Sequence, residues 1–133
     1  MHPNLRNSLA VLAGITLCML LNGLLIGLLM QIFGTPDGFN ANIPSTYHLL
    51  GAEHYVAPFL AHALPSLFGA SLSALLATHR HRSMALLVGI LHLLGGITAA
   101  FIIPAPIWFT AMDLVLAYVP MAWLGWKLSG RPV

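Results

Sequence analysis

Apolar residues run almost unbroken through four stretches of this chain, Ser8–Ile32, His54–Thr78, Met84–Ile103 and Ile107–Lys127, with short polar or turn-forming segments between them. A helix that crosses the hydrocarbon core of a bilayer needs about 20 predominantly apolar residues, and each stretch meets that length. The pattern predicts an all-α fold, a transmembrane four-helix bundle in one domain over residues 1–133, with an outer loop over 33–53. Arg6 makes a weak positive flank for a cleaved leader. The apolar run after it is far longer than the roughly 7–15 residues of a signal core, so it reads as a retained first span.

Composition sharpens the class. Hydrophobic residues make up 59% of the chain and charged ones 6%, with a mean hydropathy of +0.89. A water-soluble domain carries about 25% charged residues, so this chain has too few to cover its own surface in water. At 133 residues there is no room for a soluble catalytic module beside the spans. Five Lys and Arg spread over three segments make no dense basic face, which excludes a nucleic-acid surface. The expected partner is the lipid bilayer. Cys18 stands alone, cannot form an internal disulfide, and reads as a small packing residue.

The charges also predict orientation. Arg6 precedes the first span, Arg80 and Arg82 lie between the second and third, and Lys127 and Arg131 close the fourth. With four spans these segments share one side, and basic residues near span ends stay cytoplasmic. Both termini are therefore expected inside, with Asp37 and Glu53 outside. The turn Thr78–Ser83 reads as a topology signal. Its second reading is a weak site for anionic lipid headgroups.

The loop after Phe33 is rich in chain breakers. Thr35-Pro36-Asp37-Gly38 predicts a turn with proline at its second position. Ser45 or Thr46 is expected to cap a short helix through Leu50, with Tyr47 and Tyr55 at the membrane interface and the whole loop acting as a lid. His48, Glu53 and His54 lie close in sequence and raise a divalent metal as an alternative to no cofactor. Their spacing fits no strong motif, and on a helix Glu53 and His54 point about 100° apart.

Asn22, His62, His92 and Asp113 interrupt the apolar spans. An ionisable group at mid-bilayer costs on the order of 3 kcal/mol on insertion scales, so such residues turn inward and find partners. A rise of about 1.5 Å per residue puts His62 about 12 Å and Asp113 about 9 Å below the outer ends of their spans. Asn22 reaches a similar level, and His92 lies about one turn deeper. Helical phase groups them with small residues: Gly14 and Cys18 with Asn22; Ser66, Gly69, Ala70 and Ser73 with His62; Gly96 and Ala100 with His92; Ala117 and Pro120 with Asp113. Gly23 and Gly27 form a small-xxx-small pair that offers a homo-oligomer contact. Asp113 carries two readings, a packing lock paired with a histidine and a protonatable or ligand-anchoring site. Pro65 frees the carbonyl of Ala61, and Pro58 does so for His54 if the helix extends that far, predicting a kinked segment around His62. Trp108, Trp123 and Trp126 read as interface anchors, with substrate stacking as a second role for Trp108.

The segments Pro58–Leu64 with Gly69-Ala70, then Gly95-Gly96, Pro104–Phe109, Asp113-Leu114, Tyr118, Pro120 and Ala122–Gly125 together resemble a family of small four-span bacterial integral membrane proteins of unassigned function. The resemblance covers roughly the last two-thirds of the chain. It implies the four-span fold and a bacterial inner-membrane setting, and it brings no activity with it. Pro65 departs from it, since a small residue such as glycine is expected there.

Three functions stay open. The residues favour a protein that binds a lipid or small amphiphile, or conducts an ion or proton, through the His/Asp interior. The alternatives are a structural or accessory subunit whose polar cluster only specifies packing, and a metal-dependent membrane enzyme using His48, Glu53, His54 and His62 at the outer face. An enzyme is the less favoured reading, because no P-loop, dinucleotide fingerprint, nucleophile elbow or paired metal-binding motif occurs.

Overall fold

The computed structural model describes residues 2–133, which form helices without a strand among the described residues. Helix α1 spans Pro3–Phe33, α2 Val56–Leu76, α3 His81–Ile102, α4 Ile107–Leu116 and α5 Val119–Leu128. Two 3₁₀ helices, Pro44–Leu49 and Ala52–Tyr55, lie in the long loop, and the second runs directly into α2. Four helical segments are long and apolar enough to cross a membrane: Pro3–Phe33, Ala52–Leu76, His81–Ile102 and Ile107–Leu128.

The distribution of side chains is that of a protein in lipid. The closed core is made of small residues, including Ala70, Ala74, Ala85, Val88 and Ala122. Large apolar residues lie outside, with Phe101 and Ile107 both 88% exposed. Where lipid tails surround the helices, close backbone packing replaces the hydrophobic drive. Cβ positions built on Gly14 and Gly69 would lie 2.6 and 2.5 Å from the other residue's carbonyl oxygen, so only glycine permits the α1–α2 crossing. Gly89 faces Ala122 on α5 in the same way, with 2.5 Å to a built Cβ.

Closure is confined to one half of the bundle. The buried residues of α1 are Asn7, Ala10, Val11, Gly14 and Cys18, and those of α3 are His81, Ala85, Val88, Gly89 and His92. Beyond Cys18 and His92 neither helix buries a residue, so their second halves part. Gly95 is exposed and meets nothing within 4 Å of a built Cβ. Gly23 and Gly27 also face open space.

The basic residues gather at the closed end. Helix α2 stops there, and its last carbonyls need donors. Arg6 Nε donates to Leu76 O (3.0 Å), Arg131 Nη2 to Leu75 O (3.3 Å), and the His81 ring to Ala74 O (2.8 Å). Positive groups also favour the negative end of the helix dipole. Asn7 locks the following turn by accepting from Thr78 N (2.8 Å) and donating to His79 O (3.1 Å). Arg82 lies over Trp126 and Lys127 over Trp123. Arg80 takes the left-handed conformation (φ 52°) and starts α3.

Several local expectations shift. Helix α1 begins at Pro3, where His2 caps Asn4 N, and α2 ends at Leu76. The loop turn sits one residue later than expected, with Phe39 N donating to Pro36 O and Gly38 at φ 84°. The short loop helix starts at Pro44, and neither Ser45 nor Thr46 caps it. Thr46 Oγ1 instead ties the strand of loop at Asn40, accepting from its N–H and donating to its carbonyl oxygen. The fourth span is broken at Ala117–Tyr118. Proline 120 has no N–H for the carbonyl of Leu116, and Tyr118 leaves helical geometry (φ −112°, ψ −82°). The break also turns Pro120 outward, off the Asp113–Ala117 face.

Candidate functional site

The structure brings Asn22, His62, His92 and Asp113 together in two linked pairs. His62 Nδ1 lies 2.9 Å from both oxygens of Asp113. Asn22 Nδ2 lies 3.2 Å from His92 Nε2. The two imidazole rings approach edge to face at 6.4 Å between centroids.

Three further residues complete the network. Tyr118 O–H donates to Asp113 Oδ2 (3.0 Å), stacks on His62 at 5.6 Å and meets His92 edge-on at 4.9 Å. Ser66 Oγ donates to the carbonyl of His62 (2.8 Å) and lies 2.8 Å from His92 Nδ1. Cys18 Sγ lies 3.0 Å from the same nitrogen. One proton ordering fits the bonds among Asn22, His92, Ser66, His62, Asp113 and Tyr118. The Asn22 amide donates to His92 Nε2, His92 Nδ1–H donates to Ser66 Oγ, and Ser66 donates to His62. On the other side His62 Nδ1–H and Tyr118 O–H both donate to the Asp113 carboxylate. His62 Nε2 then has no partner within the described residues.

Ser66 was legible as i+4 from His62, on the same helix face. Tyr118 was not. Five residues after Asp113 on an unbroken helix, it would point about 140° away. The break at Ala117–Tyr118 swings it back, and Gly96 makes the room, since a Cβ there would collide with the Tyr118 hydroxyl.

A cavity of about 380 Å³ opens between the parted helix halves and ends on this cluster. Its polar floor is Asn22, His62, His92, Asp113 and Tyr118. Its walls are apolar, with Ile26 and Met30 from α1, Ala99 and Ala100 from α3, and Phe109 from α4. The loop closes over it with Phe39, Tyr47 and Leu50. Phe39 and Tyr47 meet edge to face at 5.2 Å, and Tyr47 O–H donates to Ala41 O (3.0 Å). Burial holds the Tyr47 phenol above its ordinary pKa, so it stays a donor. Cys18 and Ser66 are fully buried below the floor and do not line the cavity.

The loop residues His48, Glu53 and His54 form no common centre. His48 Nδ1 bonds Ser45 O (2.6 Å), while His54 Nδ1 accepts from Gly51 N (2.9 Å) and lies 3.4 Å from Glu53. Among the described residues no three His, Cys, Asp or Glu side chains converge as a metal would require. Trp108 packs edge to face on Tyr55 and is half exposed.

No protein-family model matches the chain, and neither does any curated protein or solved structure.

Proposed function

We propose that the protein binds a small amphiphile in the half-open bundle, with the polar group of the ligand on the His62–Asp113 pair and its apolar body between the helix halves. The cavity carries this reading. Its volume of about 380 Å³ lies at the lower end of the range for small-molecule pockets, about 300–1,000 Å³. Apolar walls ending on a few convergent polar groups are the usual make-up of such a site. Passage of an ion across the bundle is less supported. Directly below the floor, Cys18, Val88 and Ala122 are fully buried and the glycine crossings close the helices on one another.

Met19 and Gly95 line the cavity and are both exposed, one on α1 and one on α3. The ligand therefore enters sideways from the lipid between these helices, under the loop. The protein sits in a bacterial inner membrane with both termini cytoplasmic and the cavity in the outer leaflet. Basic residues at the closed end support that orientation.

Native mass spectrometry on the protein released from its own membranes tests the proposal. A small bound molecule is expected on the wild type and its loss on Ala99→Phe, which fills the cavity. A protein free of any small molecule, or one whose occupancy is untouched by Ala99→Phe, overturns it.

A further inference from the structure

The proposed cavity leaves the chemistry of its ligand open, and its charges decide that. Resting on the amphiphile-binding reading, we infer that the ligand is a lipophilic amine, held as an ammonium ion against the His62–Asp113 pair.

Among the described residues no Lys or Arg lines the cavity, and Asp113 is the only carboxylate that does. Three histidines line it, and their bonds set their charges. His54 accepts from Gly51 N at Nδ1, and His92 accepts from Asn22 at Nε2 in the proton ordering above. A ring nitrogen that accepts a hydrogen bond carries no proton, so His54 is neutral as bonded and His92 is neutral in that ordering. In the same ordering His62 Nδ1–H donates to Asp113, which leaves a lone pair on Nε2. That ordering gives the floor one negative charge and an unused acceptor. The tyrosine hydroxyl that shares the carboxylate brings no positive charge.

An anionic headgroup would meet that charge with no cation to balance it, in a medium where burying a lone charge is costly. A neutral alcohol would satisfy Nε2 and leave the charge uncompensated. An ammonium does both, donating to Nε2 and pairing with the carboxylate behind it. The walls favour the same choice. Phe39, Tyr47, Tyr55 and Phe109 line the cavity, and the Tyr55 and Phe109 rings lie 4.6 Å apart. Aromatic faces attract cations, more strongly where water is excluded.

The test uses three probes of equal chain length, radiolabelled dodecylamine, dodecanol and dodecanoic acid. Binding is measured to the full chain in nanodiscs of phosphatidylcholine at one pH, with empty nanodiscs subtracted. Dodecylamine is expected to saturate at one per chain, about tenfold tighter than either other probe, a factor of about 1.4 kcal/mol. Asp113→Asn should reduce that preference to within about twofold, and should that variant fail to fold, the ranking of the three probes on the wild type decides alone. Equal binding of the three probes, or tighter binding of the alcohol or the acid, overturns the amine assignment while leaving the cavity reading intact. Absence of saturable binding for every probe removes both.

Discussion

His62, near the start of α2, holds Asp113 of α4 through Nδ1 at 2.9 Å from each carboxylate oxygen, across 51 residues of chain. The bond uses Nδ1, and Nε2 has no partner among the described residues, on a ring that lines the cavity. Asparagine at 113 keeps an oxygen that both the His62 N–H and the Tyr118 O–H can reach, so Asp113→Asn is expected to fold with a near wild-type elution profile and thermal midpoint. The same variant should bind an amine weakly, because the charge that pairs with the ammonium is gone. A variant that is unfolded, beside a wild type that binds no amine, would assign the cluster to packing alone.

Tyr118 should matter through one hydroxyl. Tyr118→Phe removes a hydrogen bond to a charged acceptor and should lower stability by about 1.5–3 kcal/mol, read from thermal or denaturant unfolding in detergent. Gly96→Ala should act on the same bond by displacing the tyrosine ring. The two losses should be less than additive in a double-mutant cycle, as expected for residues in contact.

The glycines divide into two classes. Gly69→Ala places a methyl against the Gly14 carbonyl and should cost about 1–3 kcal/mol by overpacking. Gly23→Ala meets open space and should stay within about 0.5 kcal/mol. Should Gly23 and Gly27 join two copies in the membrane, crosslinking in mild detergent will give a dimer that Gly27→Leu abolishes. A strictly monomeric wild type retires the oligomer.

Orientation is open to labelling. In a chain carrying Cys18→Ala, a membrane-impermeant thiol reagent added to intact cells should modify Asp37→Cys and spare Arg82→Cys. Modification of Arg82→Cys alone would invert the topology.

Much of the bundle was readable in the chain. Length and hydropathy placed the spans, because lipid demands about 20 apolar residues per crossing and little else of equal weight. The 3.6-residue period put Ser66 with His62 and Gly14 with Cys18 on inward faces, and both pairs pack there or bond there. Local turn chemistry was read less well. The turn at Gly38 shifted by one residue and the start of the 3₁₀ helix at Pro44 by two or three, since several breakers in a row leave the register to contacts such as the Thr46–Asn40 bonds.

What the sequence by itself determined is the class of the protein, four apolar helices whose few polar side chains must turn toward one another, because hydrocarbon solvates neither charge nor bare backbone. Tertiary structure alone decided which polar groups pair and where the space lies. His62 chose Asp113, His92 chose Asn22 and Ser66, and the helix break brought Tyr118 to the carboxylate. Small residues served two ends that sequence cannot separate. At Gly14 and Gly69 they let backbones touch, while at Gly95 and Gly96 they keep a cavity open and seat a tyrosine. Periodicity reports a face, but only the paths of the neighbouring helices settle whether that face meets a helix or a void.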